Sequence, residues 1–413
     1  MTETTKDRRL ATNTSALFLL QIATYVLPLI LLPYYAQTFG DHTFGTVSVA
    51  LSAVALAWIL TDFGFSLSAT ELISRHREDS RLVEESVGAI LIWKVALVLA
   101  ASSGVALVPH VQSEYADDAA LFYLCALPIA GQAFQPLWFF QGMERMRWVT
   151  VYSVSAKASY LVLALAFIRG PGDYLRVPVA LGVAQLAAAA LGFWLMARQG
   201  YRPRWPSPAH FRQVVAGSYG FFASRLAAGA YTSGSTFVLG MVAAPAQVAS
   251  FAIAEQLYRA GQGLFFPLTQ ALYPYMVRER DLGLFKKVMA GAWIIALCGV
   301  GVGYLIAPWV LDLLFGAEDF SALPILHIFI AVFVINIPAM LLGYPLLGAF
   351  QLTHYANRSV LLGCAVFVVV VLSFDITTID PTRMAYSILA AEASVLLVRL
   401  ALAYSCTRRH ALS

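Results

Sequence analysis

Charge is what this chain has least of. Only 12% of its 413 residues are Asp, Glu, Lys or Arg, while 60% are hydrophobic. A soluble domain is roughly one-quarter charged and about half apolar. That shortfall excludes a water-soluble fold, because too little polar surface exists to cover the apolar side chains, and lipid must solvate most of the chain. Cysteine is scarce as well. Cys125, Cys298, Cys364 and Cys406 each sit in an apolar run, at spacings that match no zinc motif or disulfide framework, and read as packing residues. The seven histidines form no HExxH pattern. There is no P-loop and no GxSxG, and the polar loops are too short for a soluble active site. Catalysis, a metal centre and a nucleotide motor are thereby excluded. A net charge of +4 is small and says little about partners until the charges are placed; no nucleic-acid partner is expected. The polar, basic start, Met1 to Leu10, is followed by an apolar run with no small-residue cleavage site, so that run is expected to stay as a span.

Long apolar runs are what the sequence has in abundance. Six fall at 14–38, 44–70, 84–108, 119–140, 147–168 and 175–197; six more at 213–242, 247–276, 286–313, 321–350, 357–374 and 384–406. Each reaches the roughly 17–25 residues that a spanning helix needs. Only helices can supply so many spans of that length, since a backbone in lipid must satisfy its own hydrogen bonds. The expected fold is therefore an all-α membrane protein of about twelve transmembrane helices. Pro338 and Pro345 make the tenth span the least regular.

The basic residues orient this bundle. With the N-terminus in the cytoplasm, nineteen of the 27 Lys and Arg fall on the cytoplasmic side and only Arg169, Arg176 and Arg383 fall outside. That asymmetry follows the positive-inside rule and predicts both termini in the cytoplasm. The longest polar interruption, Arg198 to His210, carries Pro203, Pro206 and Pro208 and divides the chain into lobes of six spans at 1–200 and 201–413. A weak internal repeat supports the division: the second span ends in Arg75-His76-Arg77-Glu78-Asp79 and the eighth in Arg278-Glu279-Arg280-Asp281. Two such halves predict pseudo-symmetric lobes around a central cavity.

Five cations remain inside the spans: Lys94, Lys157, Arg225, Arg259 and Arg399. The first four lie ten to twelve residues into their spans, ~15–18 Å deep at about 1.5 Å per residue, near the middle of a ~30 Å core. A charge at that depth is costly unless it meets a partner or a wet cavity, and marks function by default. Glu255 lies one turn from Arg259, which allows simple neutralisation. Glu392 lies near Arg399, which reads as structural. Asp62 is placed to pair with Lys94 or to carry a coupling proton. Lys94, Lys157 and Arg225 have no acid at helical spacing, so these cations, with Arg259, predict a basic cavity for an anionic cargo. Asp62 and Glu255 are the candidate coupling or gating groups, for H+ or Na+. Tyr25 and Trp138 are candidate stacking faces for sugar rings.

Three stretches carry a family likeness: Thr61-Asp62-Phe63-Gly64-Phe65-Ser66-Leu67-Ser68-Ala69-Thr70, Trp138-Phe139-Phe140-Gln141-Gly142-Met143-Glu144, and Ala254-Glu255-Gln256-Leu257-Tyr258-Arg259-Ala260, the last continued by Gln270-Ala271-Leu272-Tyr273-Pro274. Together they resemble the O-antigen-type polysaccharide flippases of the multidrug/oligosaccharidyl-lipid/polysaccharide exporter superfamily. The resemblance implies twelve helices in two six-helix lobes. It also implies a cargo of undecaprenyl-diphosphate-linked oligosaccharide, moved from the cytoplasmic to the outer leaflet of the bacterial inner membrane by alternating access. A polysaccharide polymerase is the implied partner, beside the lipids themselves. Lys157 and Arg259 stand where the family pattern often has a basic residue. The end of span seven, Ser233 to Gly240, departs from it, since many relatives carry Asn or Asp near Ser235.

Two rivals bound this expectation. A cation-coupled multidrug exporter of the same superfamily would line its cavity with acids rather than bases. A membrane-embedded polymerase or glycosyltransferase would need a large outer loop bearing catalytic groups, and the longest outer stretch is too short for one.

Overall fold

A computed structural model describes residues 3–316, 321–375 and 378–410, with side chains from 27 to 405 apart from 223, 224, 227, 228, 230 and 232 in that range and the gaps already implied. The described residues are almost all helical and contain no strand. The first half comprises α1 (Glu3–Asp62), α2 (Phe65–Arg75), α3 (Ser80–Val111), α4 (Ala119–Leu124), α5 (Ala126–Ala133), α6 (Leu137–Gly142), α7 (Met146–Phe167) and α8 (Arg176–Arg198). The second comprises α9 (Pro208–Thr232), α10 (Gly234–Gly240), α11 (Pro245–Glu279), α12 (Leu282–Phe315), α13 (Ala322–Leu341), α14 (Thr353–Ser373) and α15 (Pro381–His410).

These helices make up the twelve expected spans. Gly40, at φ 73°, interrupts α1 and separates the first two. The second continues through α2, the fourth is assembled from α4 to α6, and the seventh from α9 and α10. Nine segments among the described residues are long and apolar enough to cross a bilayer on composition alone. The spans built from α9–α10 and from α11 fall outside that group; they carry Arg225, Glu255 and Arg259. Polar residues inside a span lower its apolar signal at the places where function is expected.

The chain forms two compact units, one of residues 1–31 and 38–229, the other of 32–37 and 230–413. The division falls inside α9. In the first unit the proline-bearing segment after α8 is clipped to α3: the Arg202 N–H donates to Glu84 Oε1 at 3.0 Å and the Arg204 N–H to the Glu84 carbonyl at 3.1 Å. The core of this unit is aromatic, with Phe63 stacked on Phe222 at 4.7 Å and Phe139 edge-on to Phe140 at 5.1 Å. In the second unit α13 is the hub, packed against α11, α12 and α15. Pro338 and Pro345 do disturb the tenth span: α13 passes into a π-helical turn, Leu342–Gly348, with Gly343 far from helical geometry at ψ −114°.

Candidate functional site

In the first unit the site begins with a helix break. Phe63 and Gly64 adopt positive φ, 48° and 78°, so α1 ends at Asp62 and α2 starts afresh at Phe65. Gly64 is required twice. Its conformation disfavours side chains, and a Cβ there would stand 2.7–2.9 Å from Phe221 Cβ, the Phe222 nitrogen and the Ser218 carbonyl of α9. The bare glycine lets α9 lie directly on the break, held also by a 2.7 Å hydrogen bond between the Ser68 and Ser218 hydroxyls. That contact places Arg225 opposite Asp62. Arg225 Nε lies 3.6 Å from Asp62 Oδ2 and Nη1 donates to Ser66 Oγ at 2.9 Å, while Ser66 Oγ donates to Asp62 Oδ2 at 2.9 Å. The Arg225 side chain is 47% exposed. Its partner is thus an acid on another helix, which sequence spacing could not reveal.

Behind Asp62 lies a cavity of about 100 Å³ whose lining includes Lys94, Gln132, Gln135, Ser153 and Trp138. Lys94 is only 3% exposed. Its Nζ donates to the Ala133 carbonyl at 2.5 Å. That carbonyl is available because α5 ends at Ala133 and α6 starts afresh at Leu137, so the last carbonyls of α5 lack helical donors. Lys94 therefore caps a broken helix, and no ion pair with Asp62 forms within 4 Å among the described residues. Trp138 is 2% exposed and its indole N–H has no hydrogen-bond partner among the described residues. The ring is packed in the core of the unit and borders only the small cavity behind Asp62. Lys157, one turn beyond Ser153 on α7, is half-buried and does not line this cavity. The side chain of Tyr25 lies outside the described residues.

In the second unit the Arg259–Glu255 pair forms as spacing predicts, at 2.8 Å. Glu255 is more than a partner for Arg259. It is buried, and accepts further hydrogen bonds from Ser235 Oγ at 3.2 Å and Thr236 Oγ1 at 2.5 Å on α10. The serine that departs from the family pattern thus serves this carboxylate. The pair faces a cavity of about 50 Å³ that Gln262 and Glu392 also line. Gln262 Nε2 donates to Asn336 Oδ1 at 2.9 Å, and Asn336 Nδ2 donates to Glu392 Oε2 at 3.0 Å.

Arg399 is placed as a structural group. It is 9% exposed and bonds Ser359 Oγ at 2.9 Å and the carbonyls of Ala339 at 2.7 Å and Ala356 at 3.4 Å. The Ala339 carbonyl faces it where Gly343 leaves helical geometry. Sequence reasoning missed Ser66, Thr236, Gln262 and Asn336, and singled out Ser235 only as a departure from the family pattern. Two signals existed: Ser66 lies one turn from Asp62, and Asn336 is an amide in a strongly apolar helix. No group of acids, histidines and cysteines suited to a metal occurs among the described residues.

A family model described as polysaccharide biosynthesis protein matches residues 10–279. The chain belongs to the polysaccharide biosynthesis protein family. A curated protein of Escherichia coli (strain K12), named "Putative O-antigen transporter", is 25% identical over 322 residues, covering 73% of this chain and 78% of that protein. In fold, the lipid II flippase MurJ in an inward closed conformation aligns with a TM-score of 0.76 at 9% identity, over 94% of this chain and 87% of that one. An inward-facing multidrug resistance MATE family transporter of the MOP superfamily gives 0.70 at 14% identity, over 94% and 97%. At such identities these two likenesses concern the fold alone. This member of the polysaccharide biosynthesis protein family is a polytopic membrane protein by the length and composition of its helices.

Proposed function

We propose that the chain flips an undecaprenyl-diphosphate-linked oligosaccharide from the cytoplasmic to the outer leaflet of the bacterial inner membrane, by alternating access, with both termini in the cytoplasm. The observation that carries this reading is Arg225, a midspan cation that is half exposed and held only loosely on Asp62. A diphosphate brings more negative charge and more acceptor oxygens than one carboxylate, and a guanidinium fits phosphate oxygens two at a time. Arg259 would serve in the same way from the second unit, and Lys157 adds positive potential. Lys94 contributes charge from behind the first site, its ammonium already committed to Ala133. Asp62 and Glu255, released from their arginines when the anion binds, are the groups that would take up a coupling H+ or Na+. A polysaccharide polymerase on the outer face is the partner that would consume the product.

The test is surface polysaccharide in cells whose own flippase is deleted. Arg225→Ala and Arg259→Ala should abolish rescue at unchanged protein level, and normal polysaccharide from both would sink the assignment. The alternative, a cation-coupled drug exporter, draws on Glu255 and Glu392 lining one small cavity. It predicts efflux of cationic dyes that depends on Asp62 or Glu255.

A further inference from the structure

The second unit carries a groove that the headgroup reading leaves unused. The helices α11 and α12 each pack along α13 and hardly touch each other, which leaves a cleft of about 330 Å³ between them. Its lining is a single stripe on each helix. Along α12 it runs Ile295, Gly299, Gly303, Ala307, Val310, one turn apart, and along α11 Gly261, Leu264, Phe265. Phe329 and Phe333 of α13 form the floor. At about 1.5 Å per residue the α12 stripe is about 22 Å long, most of the ~30 Å hydrocarbon core. No charged residue lines it. Leu264 and Ile295 at its edges are 79% and 64% exposed, as lipid-facing side chains are. The groove is therefore long, narrow and apolar, a shape that suits a single hydrocarbon chain.

It also abuts the polar site. Tyr258 and Phe329 line both the groove and the cavity of Arg259, Glu255 and Glu392. Their rings stack at 5.1 Å to form the partition, and the Tyr258 hydroxyl accepts a hydrogen bond from Gln262 on the polar side. A polar cavity that holds Arg259 and a chain-shaped apolar groove, separated by one aromatic wall, match the two ends of a lipid diphosphate once Arg259 turns from Glu255 to the phosphate. We propose that this groove binds the polyprenyl chain of the cargo, so that α11 holds headgroup and tail on its opposite faces. The inference rests on the reading of Arg259 as a ligand of the diphosphate.

Photolabelling tests it without any requirement for transport. The full chain in nanodiscs is irradiated with a polyprenyl diphosphate carrying a diazirine in its chain, and with a diazirine phosphatidylglycerol as reference. Labelled residues are mapped by mass spectrometry. The polyprenyl probe should label Leu264, Ile295 and neighbours in the groove, and excess unlabelled polyprenyl diphosphate should suppress that label while phosphatidylglycerol does not. A Cβ at Gly299 meets nothing within 4 Å and one at Gly303 only Ile330 at 3.7 Å, so Gly299→Trp and Gly303→Leu fill the groove without displacing packed atoms. Either should cut groove labelling about tenfold, the equivalent of two methylenes no longer buried. Equal labelling by both probes, or labelling indifferent to both fillings, would overturn the proposal. Groove labelling in a protein that moves no sugar would instead leave the inference standing and remove the flippase reading.

Discussion

The two arginine–carboxylate pairs make an instructive contrast. In the first unit Arg225 and Asp62 stand 3.6 Å apart across two helices, with Ser66 bridging and the guanidinium 47% exposed. In the second, Arg259 and Glu255 stand 2.8 Å apart on one helix, and two hydroxyls seal the carboxylate from the other side. A loose, reachable pair can surrender its cation to an anionic ligand at little cost. A tight pair with a fully bonded acid resists exchange, because its carboxylate would have to find new partners. An anionic ligand would therefore displace the pair in the first unit at lower cost than the pair in the second. A different class of cation stands beside both pairs. Lys94 and Arg399 each bond backbone carbonyls where a helix is broken, at Ala133 and at Ala339. Depth in the membrane does not separate these two roles; partners do.

The largest effect should come from breaking a cap. Arg399→Met removes three hydrogen bonds of a buried guanidinium and leaves the Ala339 carbonyl without its donor, a loss of about 1–3 kcal/mol for that group alone. It should lower the melting temperature and the yield of folded protein, measured by thermal unfolding in detergent. Lys94→Met frees one carbonyl and also removes a buried charge, so its loss of stability should be clearly smaller. Lys94→Gln keeps a donor and should recover part of it. If Arg399→Met were as stable as the parent, the division between caps and ligands would fall.

Effects on binding should come next. Arg225→Ala should weaken binding of a lipid diphosphate, measured on purified protein, with the melting temperature held. Arg225→Lys should be intermediate, since an ammonium cannot grip two oxygens at once. The contrast between the pairs sharpens in their acids: Asp62→Asn should raise anion affinity by freeing Arg225, whereas Glu255→Gln should cost stability by unbalancing the hydroxyls of Ser235 and Thr236.

The smallest effect belongs to a pair on the surface. Arg77 donates to Glu144 at 2.7 Å and holds its carboxyl below the usual carboxylate range. A depressed carboxylate of this kind adds stability above its unfolded pKa and loses it as the pH falls through the folded value. Both side chains are solvent-exposed, and exposed pairs are screened. Glu144→Gln should leave unfolding unchanged to within error at neutral and acidic pH.

Much of this architecture was legible from composition. Twelve spans follow from the apolar runs, because lipid allows a helix few alternatives. The Glu255–Arg259 pair was legible from its spacing; Arg399 read as structural from the acid near it, but its partners are a hydroxyl and two carbonyls instead. The pairing of Arg225 with Asp62 was not, since it depends on a glycine-lined crossing of α9 over a helix break 160 residues earlier. The role of Lys94 was hidden for the same reason: its partner is a carbonyl, and a carbonyl left open where α5 ends has no side-chain signature. Trp138 shows the converse. An aromatic in a span reads equally as a sugar platform or as core, and here the ring is buried at the edge of the small cavity behind Asp62.

The most direct test of the central claim is headgroup translocation in proteoliposomes. Polyprenyl-diphosphate oligosaccharide is loaded in both leaflets, and its access to an external glycosidase or lectin is followed over time. The parent protein should accelerate exposure of the inner pool, Arg225→Ala should reduce it to the protein-free rate, and Arg225→Lys should restore part of it. Equal rates for the parent and Arg225→Ala, at matched protein incorporation, would contradict the account.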